Sequence, residues 1–498
     1  MFYLLSSLWL VRTTKAVLFW FYLWQLKEYH IGRFLDHFRT EKGKNLLFSK
    51  LNVFKIFLLI LFPFYPVLVF FLILFLYIFE SFKVTLDILK RRLRRPVLTK
   101  KTAFLILMGL LTEGLIVFFV FSNINNIRLF AFWLLVFDVF LPVIASLIVL
   151  LFQPFAVLLR NRIIQKAKEK RKRFGNLLVI GITGSYGKTS TKELLADILS
   201  FKYKVLKTKE HQNSEVGISQ CILNDLKDEH EVFVCEMGAY NRGGIKLLCD
   251  IALPKIGILT GINEQHMATF GSQENIVKGK YELIESLPED GVAFFNAKNK
   301  YCLGLCDKTS IKKFLYGQEA RFAGEENILG AVAVARELGV PEDEISRFVE
   351  KVDKVPGVQI KKGINGLTVI DSTYSANPDG VMANLEYLKS FFAQRDESLF
   401  DLRYRSVKKV IVMPCLIELG RASKEVHLRI GRKIGEVCDL AIITTKDRLK
   451  EIKEGAGDKA VFIPDAKDIF KKIESFCKEG DVVLLESRVP KQLIKSLL

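Results

Sequence analysis

Residues 181–199 read "GITGSYGKTSTKELLADIL". The residues that lead into them, "NLLVIGIT" from Asn176, form a short apolar run rich in β-branched side chains, which is the pattern of a buried strand. The residues that follow, "KTSTKELLADILS", carry Leu194, Leu195 and Ile198 on one side, the pattern of an amphipathic helix. A glycine turn between a strand and a helix, followed by a lysine and a hydroxyl, has the pattern of a phosphate cradle. Glycines let backbone N–H groups turn toward an anion, a lysine meets the β- and γ-phosphates, and a hydroxyl holds Mg²⁺. Gly184, Gly187, Lys188 and Thr189 supply these parts. The spacing departs from the strict Walker form: the position five before Gly187 is Ile182, and the glycine stands one earlier, at Gly181.

Outward from this unit, strands and helices alternate. "HEVFVCEMG", "PKIGILTGI", "GVAFFN", "LTVID", "KKVIVMP", "LAIITT", "AVFIPD" and "DVVLLES" are strand patterns, with helical stretches between most of them. That alternation predicts α/β architecture with a mostly parallel sheet covered on both faces. "VDKVPGVQIKKGING", with Pro356, Gly357, Gly363 and Gly366, is the clearest punctuation, so a boundary and hinge are expected near Pro356. The expected domains are an α-helical membrane region over 1–175, a P-loop ATP-binding domain over 176–355 and a Rossmann-like α/β domain over 356–498.

The front of the chain has a different character. "IFLLILFPFYPVLVFFLILFLYIF" (Ile56–Phe79), "AFLILMGLLTEGLIVFFVF" (Ala103–Phe121) and "LFAFWLLVFDVFLPVIASLIVLLF" (Leu129–Phe152) are each about long enough to cross the hydrocarbon core. Phe2–Leu26 is a fourth candidate, interrupted by Arg12 and Lys15, that either spans or lies in the interface. No basic n-region precedes it and no small-residue cleavage site follows, so a cleaved signal peptide is not expected. Residues 1–175 carry 26 Lys/Arg against 8 Asp/Glu, and the remaining residues carry 47 against 46. The basic excess therefore belongs to the apolar part, which argues for topology control and anionic lipid and against nucleic acid. "KVTLDILKRRLRRPVLTKK" and "RNRIIQKAKEKRKR" are basic while "SNINNIR" is nearly uncharged, so the last two spans form a hairpin with both ends cytoplasmic. The earlier loop "QLKEYHIGRFLDHFRTEKGK" is basic too, and one span cannot separate two cytoplasmic loops. Either Pro63 and Pro66 break the 56–79 segment into a re-entrant hairpin, or the earlier loop faces out despite its charge. Glu113 and Asp138 lie inside spans, where carboxylates are candidates for function as well as for bundle packing. All eight cysteines fall after residue 175 without a C-x-x-C pair, a pattern of reduced cytosolic thiols.

The variant loop G-[IV]-T-G-x-x-G-K-[ST]-[ST] also carries a resemblance. "GITGSYGKTSTKELL" resembles the Mur ligase family, nearest to its branch that adds D-alanyl-D-alanine to the peptidoglycan precursor (the MurF type). "HQNSEVGISQCIL" is similar to the family's segment after the first helix. "VFVCEMGAYNRGGIKLLCDIALPKIGILTGINEQHMATFGSQENIVKGKYELIESL" is similar in order and spacing. "IDSTYSANPDGV" resembles D-D-x-Y-N-A-N-P, and "IELGRASKEVH" resembles E-L-G…H. The resemblance covers about residues 177–498.

It implies an ATP-dependent ligase of the bacterial cell wall that forms an amide through an acyl phosphate, on peptide or amino-acid substrates including a UDP- or lipid-linked precursor. It implies a nucleotide loop of Gly184, Ser185, Gly187, Lys188, Thr189 and Ser190, with Lys188 on the ATP phosphates and Asn213 near the γ-phosphate. Asn296 would sit on the adenine side, and Asp371 is the candidate for the ribose. Thr189 and Glu236 would hold one Mg²⁺. His266 and a carbamylated Lys280 would hold a second, which makes Lys188, Lys280 and His266 the catalytic set. With the apolar segments, the expected location is the bacterial inner membrane, multi-pass, with the catalytic domains in the cytoplasm. Departures from the family pattern are Val358 where an arginine is usual, Ser372 in the Asp doublet, "NAKNK" without its acidic residues, and Glu326 in place of a histidine. The largest is at the front, where apolar segments stand in place of the family's UDP-sugar domain. The rival expectations are a Mur-type ligase on another polymer such as polyglutamate, a membrane-tethered P-loop NTPase, and a scaffold that binds nucleotide without turnover.

Overall fold

The structure, a computed structural model, describes residues 1–498 apart from 210–211, 322–323, 353–358, 374–376 and 391–406. The expected boundary at Pro356 and the departure at Val358 lie outside the described residues. The chain forms two compact units, Met1–Asn161 and Arg162–Leu498.

The first unit is all helix: α1 (Phe2–Leu26), α2 (Ile31–His37), α3 (Glu41–Leu47), α4 (Lys50–Leu61), α5 (Pro66–Leu89), α6 (Lys100–Asn123) and most of α7 (Ile127–Lys172). Four of these, α1, α5, α6 and α7, are long and apolar enough to cross a membrane. The expectation of one span over Ile56–Phe79 is corrected. The chain turns at 62–65, and Pro66 opens α5 at a position where its missing N–H costs nothing.

Pairwise contacts fix the directions of these helices. Phe2 packs edge-on against Phe121 and Phe130 at one end of the unit. At the other end Gln25 exchanges two hydrogen bonds with the backbone of Val97. Arg12 meets Glu80 and Lys15 meets Asp87, so α1 and α5 run parallel. Phe62 packs on Phe132, which places the 62–65 turn with the 124–126 turn. Trp24 stacks on Phe34 at 3.9 Å, so the basic segment 27–49 sits at the same end as the basic 90–99 segment. The break falls at Pro63 and Pro66, as in the hairpin alternative: α4 and α5 form a helical hairpin that returns segment 90–99 to the end where segment 27–49 lies.

Asp138 is the centre of a buried ionic quartet. Lys55 Nζ lies 2.6 Å from both Glu80 Oε2 and Asp138 Oδ2, and Arg12 lies 3.2 Å from Glu80 and 3.0 Å from Asp138. Glu113 accepts a hydrogen bond from Thr14 Oγ1 at 3.0 Å.

The second unit holds two six-stranded sheets. In the first, β1 (Leu178–Thr183), β2 (Val205–Lys207), β3 (Val232–Glu236), β4 (Ile256–Leu259), β5 (Val292–Asn296) and β6 (Lys312–Tyr316) are all parallel, in the order β2-β3-β1-β4-β5-β6. Side chains alternate between the two faces. Val232 and Val234 face α8 (Lys188–Leu199), while Phe233 and Cys235 face α9 (Glu215–Asn224) and α10 (Gly244–Ala252). The core therefore lies on both sides of the sheet, as parallel strands require. Ile164 and Ala167, in the last turns of α7, belong to this core. The helices α11 (Met267–Phe270), α12 (Gln273–Glu285), α13 (Lys300–Lys308), α14 (Glu325–Glu337) and α15 (Glu342–Lys351) complete the layers.

The second sheet has the order β11-β10-β9-β12-β8-β7, from β7 (Gln359–Lys362), β8 (Thr368–Ser372), β9 (Lys409–Met413), β10 (Leu440–Ile443), β11 (Ala460–Phe462) and β12 (Val482–Glu486). Only β7 is antiparallel. The sheet is flanked by α16 (Pro378–Ser390), α17 (Ser423–Val437) and α18 (Leu449–Ala456) and, on the other face, by α19 (Ala466–Phe476) and α20 (Lys491–Leu497). All eight cysteines are buried free thiols.

Candidate active site

β1 is the central strand of the first sheet, with β3 on one side and β4 on the other. The chain leaves β1 toward α8 and returns on both sides, so the carboxyl ends of β1, β3 and β4 form the crevice where open α/β sheets bind ligands. Each of these ends delivers polar groups.

At the end of β1 the loop 184–187 turns into α8. Gly187 is the helix N-cap, at φ 78°, a left-handed conformation that favours glycine. At Gly184 a Cβ would fall 2.2 Å from Thr260 Oγ1, so only glycine lets the loop lie against β4. Among the described residues no side chain caps the first turn of α8, so its N–H groups are available to an anion. Lys188 folds back over the loop and donates to Gly184 O at 2.8 Å. Burial lowers its pKa, and the Glu236 carboxylate partly offsets this. Ser185 Oγ accepts from the Asn263 N–H, and Ser190 sits in the first turn of α8.

At the end of β3, Glu236 is buried and doubly held. Its Oε2 accepts from Thr189 Oγ1 and its Oε1 from Asn213 Nδ2, both at 2.9 Å. Lys192 Nζ, fully buried one turn along α8, lies 3.8 Å from Oε2. A hydroxyl beside a carboxylate is a hard-oxygen donor set and fits Mg²⁺. Among the described residues no three His, Cys, Asp or Glu side chains form a metal cage. Any Mg²⁺ held here therefore needs other oxygens, such as those of phosphate and water.

Beyond β4, His266 adopts φ 65° and its Nδ1 lies 2.9 Å from Glu418 Oε2. Burial is the larger influence and lowers its pKa, although Glu418 opposes it. Lys280, on α12, is buried, with Nζ 3.4 Å from Ala239 O and 5.7 Å above the Phe270 ring. Burial, with the charge of Lys188, brings its pKa down to about 7.

Asn296 ends β5, where its amide donates to Thr260 O at 2.7 Å and so abuts the end of β4. Asp371 is elsewhere, at the end of β8 in the second sheet, paired with Thr373 Oγ1 at 2.8 Å and Lys361 at 3.2 Å. Neither contact reaches the glycine loop. The structure thus gathers Gly184, Ser185, Gly187, Lys188, Thr189, Ser190, Asn213, Glu236, His266 and Lys280 around one crevice. Asn296 stands at its margin and Asp371 stands outside that group.

Several residues at this crevice were not singled out from the sequence. Tyr186 fills the space beside Gly261, where a Cβ would meet its ring at 2.3 Å. Asn263 Nδ2 donates to Asp379 Oδ2 at 2.9 Å, and Arg429 pairs with Glu264 at 3.5 Å, across the two sheets' domains. Lys192 carried a usable signal, since it follows Lys188 by one helical turn. Asn263 and Asp379 carried none, because their contact joins residues more than a hundred positions apart.

Comparison with known proteins finds a family match over both sheets of the second unit. The Mur ligase middle domain matches residues 182–338, and the Mur ligase, glutamate ligase domain matches residues 358–488. The UDP-N-acetylmuramoyl-tripeptide--D-alanyl-D-alanine ligase of Bacillus subtilis (strain 168) is 26% identical over 363 residues, which is 64% of this chain and 76% of that protein. The crystal structure of MurF ligase from Thermotoga maritima in complex with ADP superposes with a TM-score of 0.56 at 27% identity, over 68% of this chain and 83% of that one. A MurF structure from Acinetobacter baumannii, at 23% identity and a TM-score of 0.57 over 67% and 78% of the two chains, shares the fold.

Proposed function

Because this chain belongs to the Mur ligase family, through its middle and glutamate ligase domains, we propose that it joins the carboxylate of a peptidoglycan precursor to the amine of D-alanyl-D-alanine. It is an ATP-dependent ligase that forms amide bonds. A carboxylate is a poor acylating agent because oxide is a bad leaving group. Transfer of the γ-phosphoryl group from ATP makes an acyl phosphate and releases ADP. The amine then attacks the acyl carbon, a tetrahedral intermediate forms, and phosphate leaves with the amide made. Little covalent chemistry falls to the protein; its share is positioning and charge neutralisation.

In this reading the loop Gly184–Ser190 cradles the phosphates, Lys188 neutralises them, and Asn213 orients the γ-phosphate side. Asn296 and Asp371 serve the adenine and the ribose. Thr189 and Glu236 would hold one Mg²⁺, and His266 and a carbamylated Lys280 would hold a second. Bound Mg²⁺ supplies Lewis-acid neutralisation of the phosphoryl oxygens. Lys280 suits carbamylation: a pKa of about 7 leaves much of the amine unprotonated, and only that form adds to CO₂, yielding an anionic carbamate and a proton. The domains read as a membrane region over 1–175, an ATP-binding domain over 176–355 and a C-terminal Rossmann-like domain over 356–498. The apolar helices hold the enzyme in the inner membrane, with anionic lipid against the basic segments, and the precursor is presented at the bilayer, lipid- or UDP-linked.

The observation that carries this reading is the convergence of Lys188, Thr189, Glu236, His266 and Lys280 at the carboxyl edge of one sheet. The test is the purified full chain with ATP, Mg²⁺, UDP-N-acetylmuramoyl tripeptide and D-alanyl-D-alanine. Mass spectrometry should show the ligated product with one ADP per amide. Lys188→Ala should lower the rate by about 10²–10³-fold, the loss typical of removing one preorganised charge-stabilising group. ATP turnover without an amine would favour an NTPase, and product only with glutamate chains would favour a polyglutamate ligase.

A further inference from the structure

The E-L-G…H segment, Glu418 to His427, holds a carboxylate that the reaction above does not use. Glu418 belongs to the C-terminal domain, yet its Oε2 lies 2.9 Å from Nδ1 of His266 in the ATP-binding domain. Both side chains are largely buried. The backbones meet as well: the Ala268 N–H donates to Glu418 O at 3.1 Å. At Gly420 an added Cβ would come within 3.1 Å of Ala268 N, so the two loops lie in close contact.

Three features hold the carboxylate in place. His427, fully buried, accepts the Leu416 N–H at Nε2 (2.9 Å) and faces Ser423 O through Nδ1 (2.6 Å), which pins the loop's start to α17. Leu419 is buried in the C-terminal core and anchors the loop's middle. Glu418 and His266 both adopt left-handed backbone, at φ 65° each. Non-glycine residues do so at a cost that the surrounding structure must offset, and such strain gathers at functional sites. Two strained residues that meet across a domain junction point to a contact with a purpose.

We propose that Glu418 is a positioning residue that makes metal binding at His266 depend on docking of the C-terminal domain. An imidazole whose Nδ1–H donates to a carboxylate is fixed in one tautomer and one orientation, and keeps the Nε2 lone pair for a metal. Here that carboxylate comes from the other domain. Undocking would take the carboxylate away from Nδ1 and free the ring to rotate. By linkage, metal bound at His266 favours the docked state by the same factor. The proposal rests on the reading of His266 as a metal ligand.

The test is direct Mn²⁺ binding to the full chain in the presence of ADP, followed by electron paramagnetic resonance, for the wild type, Glu418→Ala, Glu418→Gln, Glu418→Asp and His266→Ala. Loss of an outer partner of a metal-bound histidine typically costs 10–100-fold in affinity. Glu418→Ala should weaken Mn²⁺ binding at the histidine site by that factor. The isosteric Glu418→Gln, which keeps the loop's shape, should fall between, and Glu418→Asp should restore part of the loss. ADP affinity without metal should stay as in the wild type, which a general unfolding of the junction would not allow. If His266→Ala weakens Mn²⁺ binding while Glu418→Ala and Glu418→Gln leave it unchanged, the proposal is overturned and the metal role of His266 stands. If none of the variants changes it, the role of His266 fails as well.

Discussion

Lys280 shows how far one side chain can be read alone. In the sequence it is an ordinary helix lysine, and only the family resemblance lifts it. Its burial between Ala239 and Phe270 and the nearby charge of Lys188 bring its pKa to about 7, and that shift is a property of the fold. If the carbamate forms, Lys280→Ala should lose nearly all ligase activity and regain part of it with a short carboxylic acid such as acetate. Absence of rescue at high acid concentration would count against it. Glu486 is a second buried group that sequence does not mark. It accepts from Asn384 Nδ2 at 2.7 Å and from Ser487 Oγ at 3.3 Å, and burial pushes its pKa up to about 8. An unfolded glutamate titrates at about 4.3. Between those values the folded chain binds more protons than the unfolded one, so stability is full below the lower value and falls as pH rises to about 8. Glu486→Gln should remove that slope, at most about 1.4 kcal/mol per pH unit. Its lead in unfolding midpoint over the wild type should be larger at pH 8.5 than at pH 6, and an equal lead at both would refute the assignment.

At the scale of elements, the α4–α5 hairpin, one of two alternatives open in the sequence, is the feature most exposed to test. Lys50–Leu61 is too short to span alone, and Lys55 would be costly in hydrocarbon without partners. Glu80 and Asp138 satisfy it, and Arg12 balances the second negative charge. Lys55→Met keeps the length and the apolar stem but leaves two carboxylates sharing one cation. Breaking a buried ionic cluster from one side costs about 3–5 kcal/mol, so the detergent-solubilised variant should melt well below the wild type. Lys55→Met combined with Asp138→Asn should recover part of the loss; an unchanged melting temperature in the single variant would mean the quartet is not buried as described. Strands follow a similar logic. The central strands β1, β3 and β4 are apolar on both faces and are evident in the sequence. Three others were not: β2 has three residues, while β6 and β7 are edge strands with exposed, lysine-bearing faces. An edge strand lacks a neighbour on one side and need not be apolar.

For the whole molecule, the helix directions in the first unit put the basic segments 27–49 and 90–99 at one end and Phe2, the 62–65 turn and the 124–126 turn at the other. Positive charge faces the cytoplasm, so the N-terminus should be external. Because the native cysteines are buried, single cysteines can report this. Asn125→Cys should react with an impermeant thiol reagent on intact cells, while Lys42→Cys and Arg94→Cys should react only after permeabilisation. Labelling of Lys42→Cys from outside would reverse the topology. The sequence alone was enough for the glycine turn between a strand and a helix, for the α/β alternation and for the run of apolar helices ahead of it, because all three rest on local composition and on spacing within one or two elements. It also contained Thr189, Glu236 and His266, each next to a strand or loop that could be recognised. Only the tertiary structure decided which ends of the apolar helices lie together, that Glu418 stands behind His266, and which carboxyl and amine groups lose their water. Those outcomes depend on contacts between residues tens to hundreds of positions apart and on burial, neither of which is written in any local stretch of chain.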